Sequence, residues 1–152
     1  MLIKTAVLGE VEVSPEDIIN IPDGLYGFDC RGEFAVVRKQ EEDVTLMWLQ
    51  AVRSGVPCFV VFNPYEIIDG YEPILEHRDM NFLGCDSVDE LDFLVIAVVP
   101  EDVRDITVNA KSPIAINKKD RRARQVILAN RNYPIKFPLF AKDKEAEEKT
   151  EG

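Results

Sequence analysis

Apolar and polar residues alternate in short runs along most of this chain, and nothing in it reads as a long helix. Ile3, Thr5 and Val7, then Val11 and Val13, alternate around Gly9-Glu10, which predicts an N-terminal hairpin. Ser14-Pro15-Glu16-Asp17 combines a capping residue, an early proline and first-turn acids, so one short helical turn is expected over Asp17 to Ile21. Glu33 to Arg38 and Val44 to Val52 read as strands joined by the acidic turn Gln40 to Asp43. In the second, Val44, Leu46, Trp48 and Gln50 share one face, and Thr45, Met47, Leu49 and Ala51 the other. Both faces are largely apolar, which places the strand inside the fold with Trp48 in the core. Cys58 to Phe62 and Leu91 to Val99 are further interior strands, the second ending at Pro100 and flanked by acids on both sides.

Two stretches break this rhythm. Pro22-Asp23-Gly24 and Gly27 form a turn cluster carrying Leu25, Tyr26 and Phe28, which either plug the end of a barrel-like core or offer an aromatic platform. Between Asn63 and Asp86 the pattern fades, and an irregular segment of that length in a compact domain is often functional. It sets Tyr65 and Tyr71 beside Glu66, Asp69, Glu72 and Glu76. Tyrosine brings large contact area at small entropic cost, so this is a candidate protein-binding surface.

The chain then closes in a meander, with strands expected at Ile106 to Val108, Pro113 to Ile116 and Gln125 to Leu128. Between the last two lies a loop, Asn117 to Arg124, with five basic residues and one acid. From Lys111 to Lys136 there are eight basic residues and one acid, or +7; the whole chain carries −10, so the remainder carries −17. Charge is therefore segregated along the sequence. Short strands with glycine and proline turns predict an all-β, antiparallel, barrel-like single domain over residues 1–140 with one or two helical turns. Residues 141–152 are a polar, flexible C-terminal tail on this reading.

Composition narrows the chemistry. A pI near 4.6 argues against general nucleic-acid binding and favours basic protein partners. Cys30, Cys58 and Cys85 are odd in number and show no CxxC spacing, which speaks against a disulfide framework or a zinc site and for reduced thiols in a cytoplasm. No apolar run reaches the roughly 18 residues of a membrane span, and the N-terminus alternates rather than forming a signal-peptide core. His77 is the one histidine; with Glu76 and Asp79 it makes a weak metal set, and no nucleophile, Walker loop or GxGxxG accompanies it. No catalytic residue, metal ligand or cofactor is expected. Acid pairs such as Glu41-Glu42 or Asp89-Glu90 keep a small hydrolase as an alternative, and the 118–124 loop keeps a direct RNA-binding module.

Three motifs add a resemblance. Thr107-Val108-Asn109-Ala110-Lys111-Ser112-Pro113-Ile114-Ala115-Ile116-Asn117, with Arg124 to Leu128 and Tyr133-Pro134-Ile135, closely resembles the bacterial flagellar assembly factor FliW family. Ile21 to Phe28 is similar to that family's Gly-Leu-Pro-Gly-Phe turn, with Tyr26 where proline is usual. Trp48-Leu49-Gln50-Ala51 is similar to its Trp-Leu-Gln-Ser strand, with Ala51 in place of serine. The resemblance implies a small β-barrel-like, non-enzymatic cytoplasmic regulator, monomeric when free, that takes two partners in turn. One is the C-terminal segment of flagellin; the other is the RNA-binding translational repressor CsrA, whose hold on flagellin mRNA the free protein would relieve. It implies no direct nucleic-acid contact and no membrane. Beside it, the residues themselves point to Tyr65, Glu66, Asp69, Tyr71 and Glu72 as the partner-binding segment.

Overall fold

The computed structural model describes residues 1–6, 8–41, 44–130 and 132–140; Val7, the tip of the acidic turn and the expected tail lie outside them. The N-terminal alternation forms a hairpin of β1 (Leu2–Thr5) and β2 (Gly9–Glu12), paired Leu2 to Glu12 through Thr5 to Gly9. The helical turn comes earlier than expected, at Pro15–Asp17, and Ile18–Ile21 is instead strand β3. The physical reason is burial. Ile19 and Ile21 are fully inaccessible on one face and Asn20 is exposed on the other, a period of two that outweighs the weak signal of a single capped turn.

Strands β4 (Gly32–Glu41), β5 (Val44–Ala51), β6 (Cys58–Phe62), β7 (Leu91–Val98), β9 (Ile114–Asn117) and β10 (Ala123–Gln125) extend this sheet. Along the sheet they run β3-β4-β5-β6-β7-β9-β10, every ladder antiparallel. Two short strands, β8 (Thr107–Val108) and β11 (Phe137–Pro138), pair with each other, and β8 joins the far half of β7. The sheet curls until its edges meet. Asn20 N–H donates to the Arg121 carbonyl at 3.0 Å, and a single parallel bridge links Asn20 to Arg122. One bridge is not a ladder, so the barrel is barrel-like in outline and open along this seam.

Inside the curl, Ile19, Ile21, Phe34, Val36, Leu49, Val61, Leu94, Ile114, Ile116 and Ala123 pack together. Each large side chain removed from water there contributes about 1.5–3 kcal/mol before entropic costs. Trp48 is not among them. Leu49 and Ala51 point inward with Met47 against them, while Trp48 stands on the opposite face across from Val37 and Val60, half-buried. An apolar strand looks two-sided in sequence, but only one face meets the barrel interior. Gln50, on the Trp48 side, is fully buried, and its Nε2 donates to the Gly55 carbonyl at 2.7 Å and to that of Ala51 at 2.9 Å. The N-terminal hairpin closes over Ala35 with Ile3 and Val13.

The irregular stretch holds two short helices, α1 (Pro64–Ile67) and α2 (His77–Leu83). With the segment between them they cover the outer face of β7 and β9: Ile68, Tyr71, Leu75 and Leu83 pack on Leu91, Phe93, Ala115 and Val126. Strand β7 therefore carries two cores, its odd positions facing the helices and Leu94 and Ile96 facing the barrel interior. The last expected strand is displaced. Pairing covers Ala123–Gln125, because Arg124 lies opposite Ala115 and turns its side chain toward α2.

Candidate functional site

The segment from Asn63 to Glu72 is built for rigidity. The Asn63 side-chain oxygen accepts from Tyr65 N–H at 3.0 Å and Pro64 occupies the first helical position, so α1 starts at a defined point. That sets the Tyr65 ring, 49% exposed, edge-on to Tyr71 at 5.7 Å and to Phe93 at 6.1 Å. Tyr71 itself is buried, its hydroxyl donating to the Ala110 carbonyl at 2.9 Å and its ring tilted against Tyr133 at 4.7 Å. Tyr71 thus lies in the core, where a side chain with its polar end already bonded supports the surface above it.

Behind the surface, Glu72 is fixed through its backbone. Its N–H donates to the Tyr133 hydroxyl at 2.7 Å and its carbonyl accepts from Asn130 Nδ2 at 2.8 Å, while the residue remains exposed. Glu66 and Asp69 are exposed as well. Burial first, and then the Asp89 and Asp92 carboxylates and Tyr133, push the Tyr65 hydroxyl above its ordinary pKa, so the ring sits in a negative field. The arrangement is a half-exposed aromatic ring on a fixed aromatic base, ringed by acids.

Part of the basic loop is turned onto the body of the protein. Asn117 shapes it, with Oδ1 accepting from Lys119 N–H at 2.8 Å and Nδ2 donating to the Leu83 carbonyl at 2.7 Å. Lys118 Nζ donates to the Asp89 carbonyl, and Arg121 pairs with Asp92 at 3.6 Å. Arg122 and Arg124 both lie over the Phe82 ring, 4.3 and 4.2 Å from its centroid. Arg124 also reaches Asp79 at 3.3 Å and Asp23 at 3.1 Å. Of the five cations, Arg121 and Arg124 thus meet carboxylates, while Lys118, Lys119 and Arg122 remain exposed, so the charge segregated along the chain is only partly neutralised in the fold.

The turn cluster divides its roles. Leu25 is buried in the barrel core, whereas Tyr26 and Phe28 are exposed, with Phe28 edge-on to Phe59 at 4.8 Å. Tyr26 N–H donates to Gln125 Oε1 at 2.9 Å, a bond that the proline usual at this position could not make. Neither Asn117 nor Gln125 was singled out from the sequence. Their one legible signal is a polar side chain at each end of the Asn117–Arg124 turn, inside otherwise apolar strand patterns.

Two carboxylates sit in distinctive surroundings. The Glu90 carboxylate accepts from the Asp86 and Ser87 amides at 2.7 and 2.8 Å, which holds its pKa down. The Asp79 carboxyl is raised by burial, with Arg124 pulling the other way. Burial also raises the Cys30, Cys58 and Cys85 thiols, keeping them protonated and poor nucleophiles. His77, which opens α2, is exposed, and no group of three metal-ligating side chains occurs among the described residues. No helix there is long and apolar enough to cross a membrane.

Fold and surface together define a β-barrel-like domain that carries an acidic ledge with a half-exposed aromatic ring. Family comparison agrees: the model of the FliW protein family matches residues 2–139, and the chain belongs to that family. Flagellar assembly factor FliW of Ruminiclostridium cellulolyticum is 34% identical over 92% of this chain and 95% of its own length. That of Caldicellulosiruptor bescii is 37% identical over 91% and 90%. A crystal structure of the flagellar assembly factor FliW superposes with a TM-score of 0.79 at 29% identity, covering 92% of this chain and 97% of that one. The name these relatives carry describes an assembly factor, not a catalyst.

Proposed function

We propose that this protein couples flagellar assembly to translation in the cytoplasm by binding two partners in turn, the C-terminal segment of flagellin and the translational regulator CsrA. While flagellin is abundant the protein is occupied; once secretion drains the pool, the free protein binds CsrA and relieves repression of flagellin mRNA. The observation that carries this reading is the acidic ledge of Tyr65, Glu66, Asp69 and Glu72, held rigid by Tyr71, Tyr133 and Asn130, on a member of the FliW family. An RNA-binding regulator must present basic surface, and carboxylates fixed on a rigid ledge attract that surface and disfavour phosphates beside it.

The test is calorimetric titration of CsrA into wild type and into the triple variant Glu66→Lys, Asp69→Lys, Glu72→Lys. Because all three residues are exposed, the variant keeps its fold, which circular dichroism checks. Affinity should drop at least about tenfold, chiefly through faster dissociation and a smaller salt dependence. Wild-type affinity in the folded variant would remove this segment from the contact.

A further inference from the structure

A cavity of about 740 Å³ lies along the open seam where β3 approaches the β9–β10 turn. A second, of about 530 Å³, adjoins it, and Arg31, Glu33 and Arg53 line both. On one side of that junction the walls include Met1, Ile18 and Pro22; on the other they include Phe28 and Val56. Met1, Phe28 and Val56 are each more than half exposed, at 55%, 51% and 52%. The result is a two-lobed groove with apolar residues in both lobes and Arg31, Glu33 and Arg53 on the lining they share.

Those two arginines differ from the other described ones. Arg38, Arg78, Arg104, Arg121 and Arg124 pair with Asp17, Glu76, Asp102, Asp92 and Asp79, and Arg122 lies on Phe82. Arg31 and Arg53 have no such partner among the described residues, although the chain has ten more acids than bases. With a surplus of carboxylates in the chain, the two described arginines that no carboxylate or ring engages lie in one groove.

We propose that the groove binds a single carboxylate carried on an apolar peptide segment of a partner protein. The guanidinium fork matches a carboxylate in two-point geometry, and the apolar lobes accept the side chains on either side of it. A polyphosphate is the wrong shape of charge for this site. Asp29, Glu33 and Asp120 stand on the same walls and repel an extended polyanion more strongly than a single carboxylate. The groove shares no residue with the ledge around Tyr65, so its occupancy is independent of the function proposed above.

The probe is the blocked peptide acetyl-Leu-Val-Glu-Val-Leu-amide, with its glutamine counterpart as control, titrated to millimolar concentration into labelled protein and followed by amide chemical shifts. The glutamate peptide should shift Gly32, Glu33 and Arg53 and bind about tenfold or more tighter than the glutamine peptide. The variant Arg31→Gln, Arg53→Gln should abolish that preference while leaving the remaining amide spectrum unchanged, and Glu66→Lys should leave it intact. Equal binding of the two peptides, shifts confined to another face, or no saturation at millimolar peptide would each overturn the proposal. So would sedimentation showing a dimer that the double arginine variant dissolves, because the groove's occupant would then be a second copy of this chain.

Discussion

Replacing Arg124 with alanine removes a charge contact to a buried carboxylate. Its guanidinium lies 3.3 Å from an Asp79 carboxylate that is 8% exposed, 3.1 Å from Asp23 and 4.2 Å from the Phe82 centroid. Removing one partner of a buried pair costs about 3–5 kcal/mol, because the other charge stays behind without compensation. Arg124 is 29% exposed and water can partly replace it, so about 2–3 kcal/mol is expected here. At about 2–4 °C per kcal/mol for a domain of this size, melting should fall by roughly 5–10 °C. Asp79→Asn removes the stranded charge, so the double variant Arg124→Ala, Asp79→Asn should recover about 1–2 kcal/mol relative to Arg124→Ala alone.

The pH dependence has a definite sign. Burial raises the folded-state pKa of Asp79 above the unfolded value of about 3.9 even with Arg124 present, so the protonated form is the one that favours folding. That contribution is complete below the unfolded pKa and is lost as pH rises through the folded one. Without Arg124 the folded pKa rises further, so the cost of Arg124→Ala should be greatest near neutrality and shrink on acidification to about pH 5. Urea unfolding at both pH values, read by circular dichroism, measures it. A cost below about 0.5 kcal/mol at neutral pH, no recovery in the double variant, or a cost that grows on acidification would refute the reasoning.

Further predictions concern single contacts. Tyr71→Phe deletes the hydroxyl bonded to the buried Ala110 carbonyl and should cost about 1–2 kcal/mol in urea unfolding while leaving CsrA affinity unchanged. Gly24→Ala should be worse, about 3 kcal/mol or failure to accumulate, because φ is +73° and the added Cβ would fall 2.4 Å from the Cys30 carbonyl oxygen. Tyr26→Pro strips the amide that Gln125 Oε1 accepts, and a melting temperature lowered by a few degrees would show that bond outweighing the added stiffness. Filter binding at physiological salt should find no specific affinity for RNA, since Arg121 and Arg124 are taken by Asp92 and Asp79 and the chain as a whole carries −10.

How far the sequence carries depends on how local the deciding interaction is. Alternation in Leu2–Glu12 and the apolar runs of β5, β6 and β7 announce strands because one or two faces of each are buried along their length. Ala123–Gln125 does not announce itself, since Arg124 occupies a strand position only through Asp79, 45 residues earlier in the chain. Tyr65 and Tyr71 look equivalent six positions apart beside acids, yet one ring is half exposed and the other is core. What separates them is Ala110 and Tyr133, contacts of long sequence separation that no local pattern encodes. The basic loop misleads for the same reason: a run of cations predicts an exposed patch only when no acid from elsewhere folds onto it.

The central claim is partner exchange on this scaffold, and one titration addresses it directly: CsrA from the same organism into the purified protein, repeated after saturation with the flagellin C-terminal segment. The account predicts saturable binding that flagellin abolishes. No binding of CsrA to the free protein, or CsrA binding that flagellin leaves untouched, would contradict it.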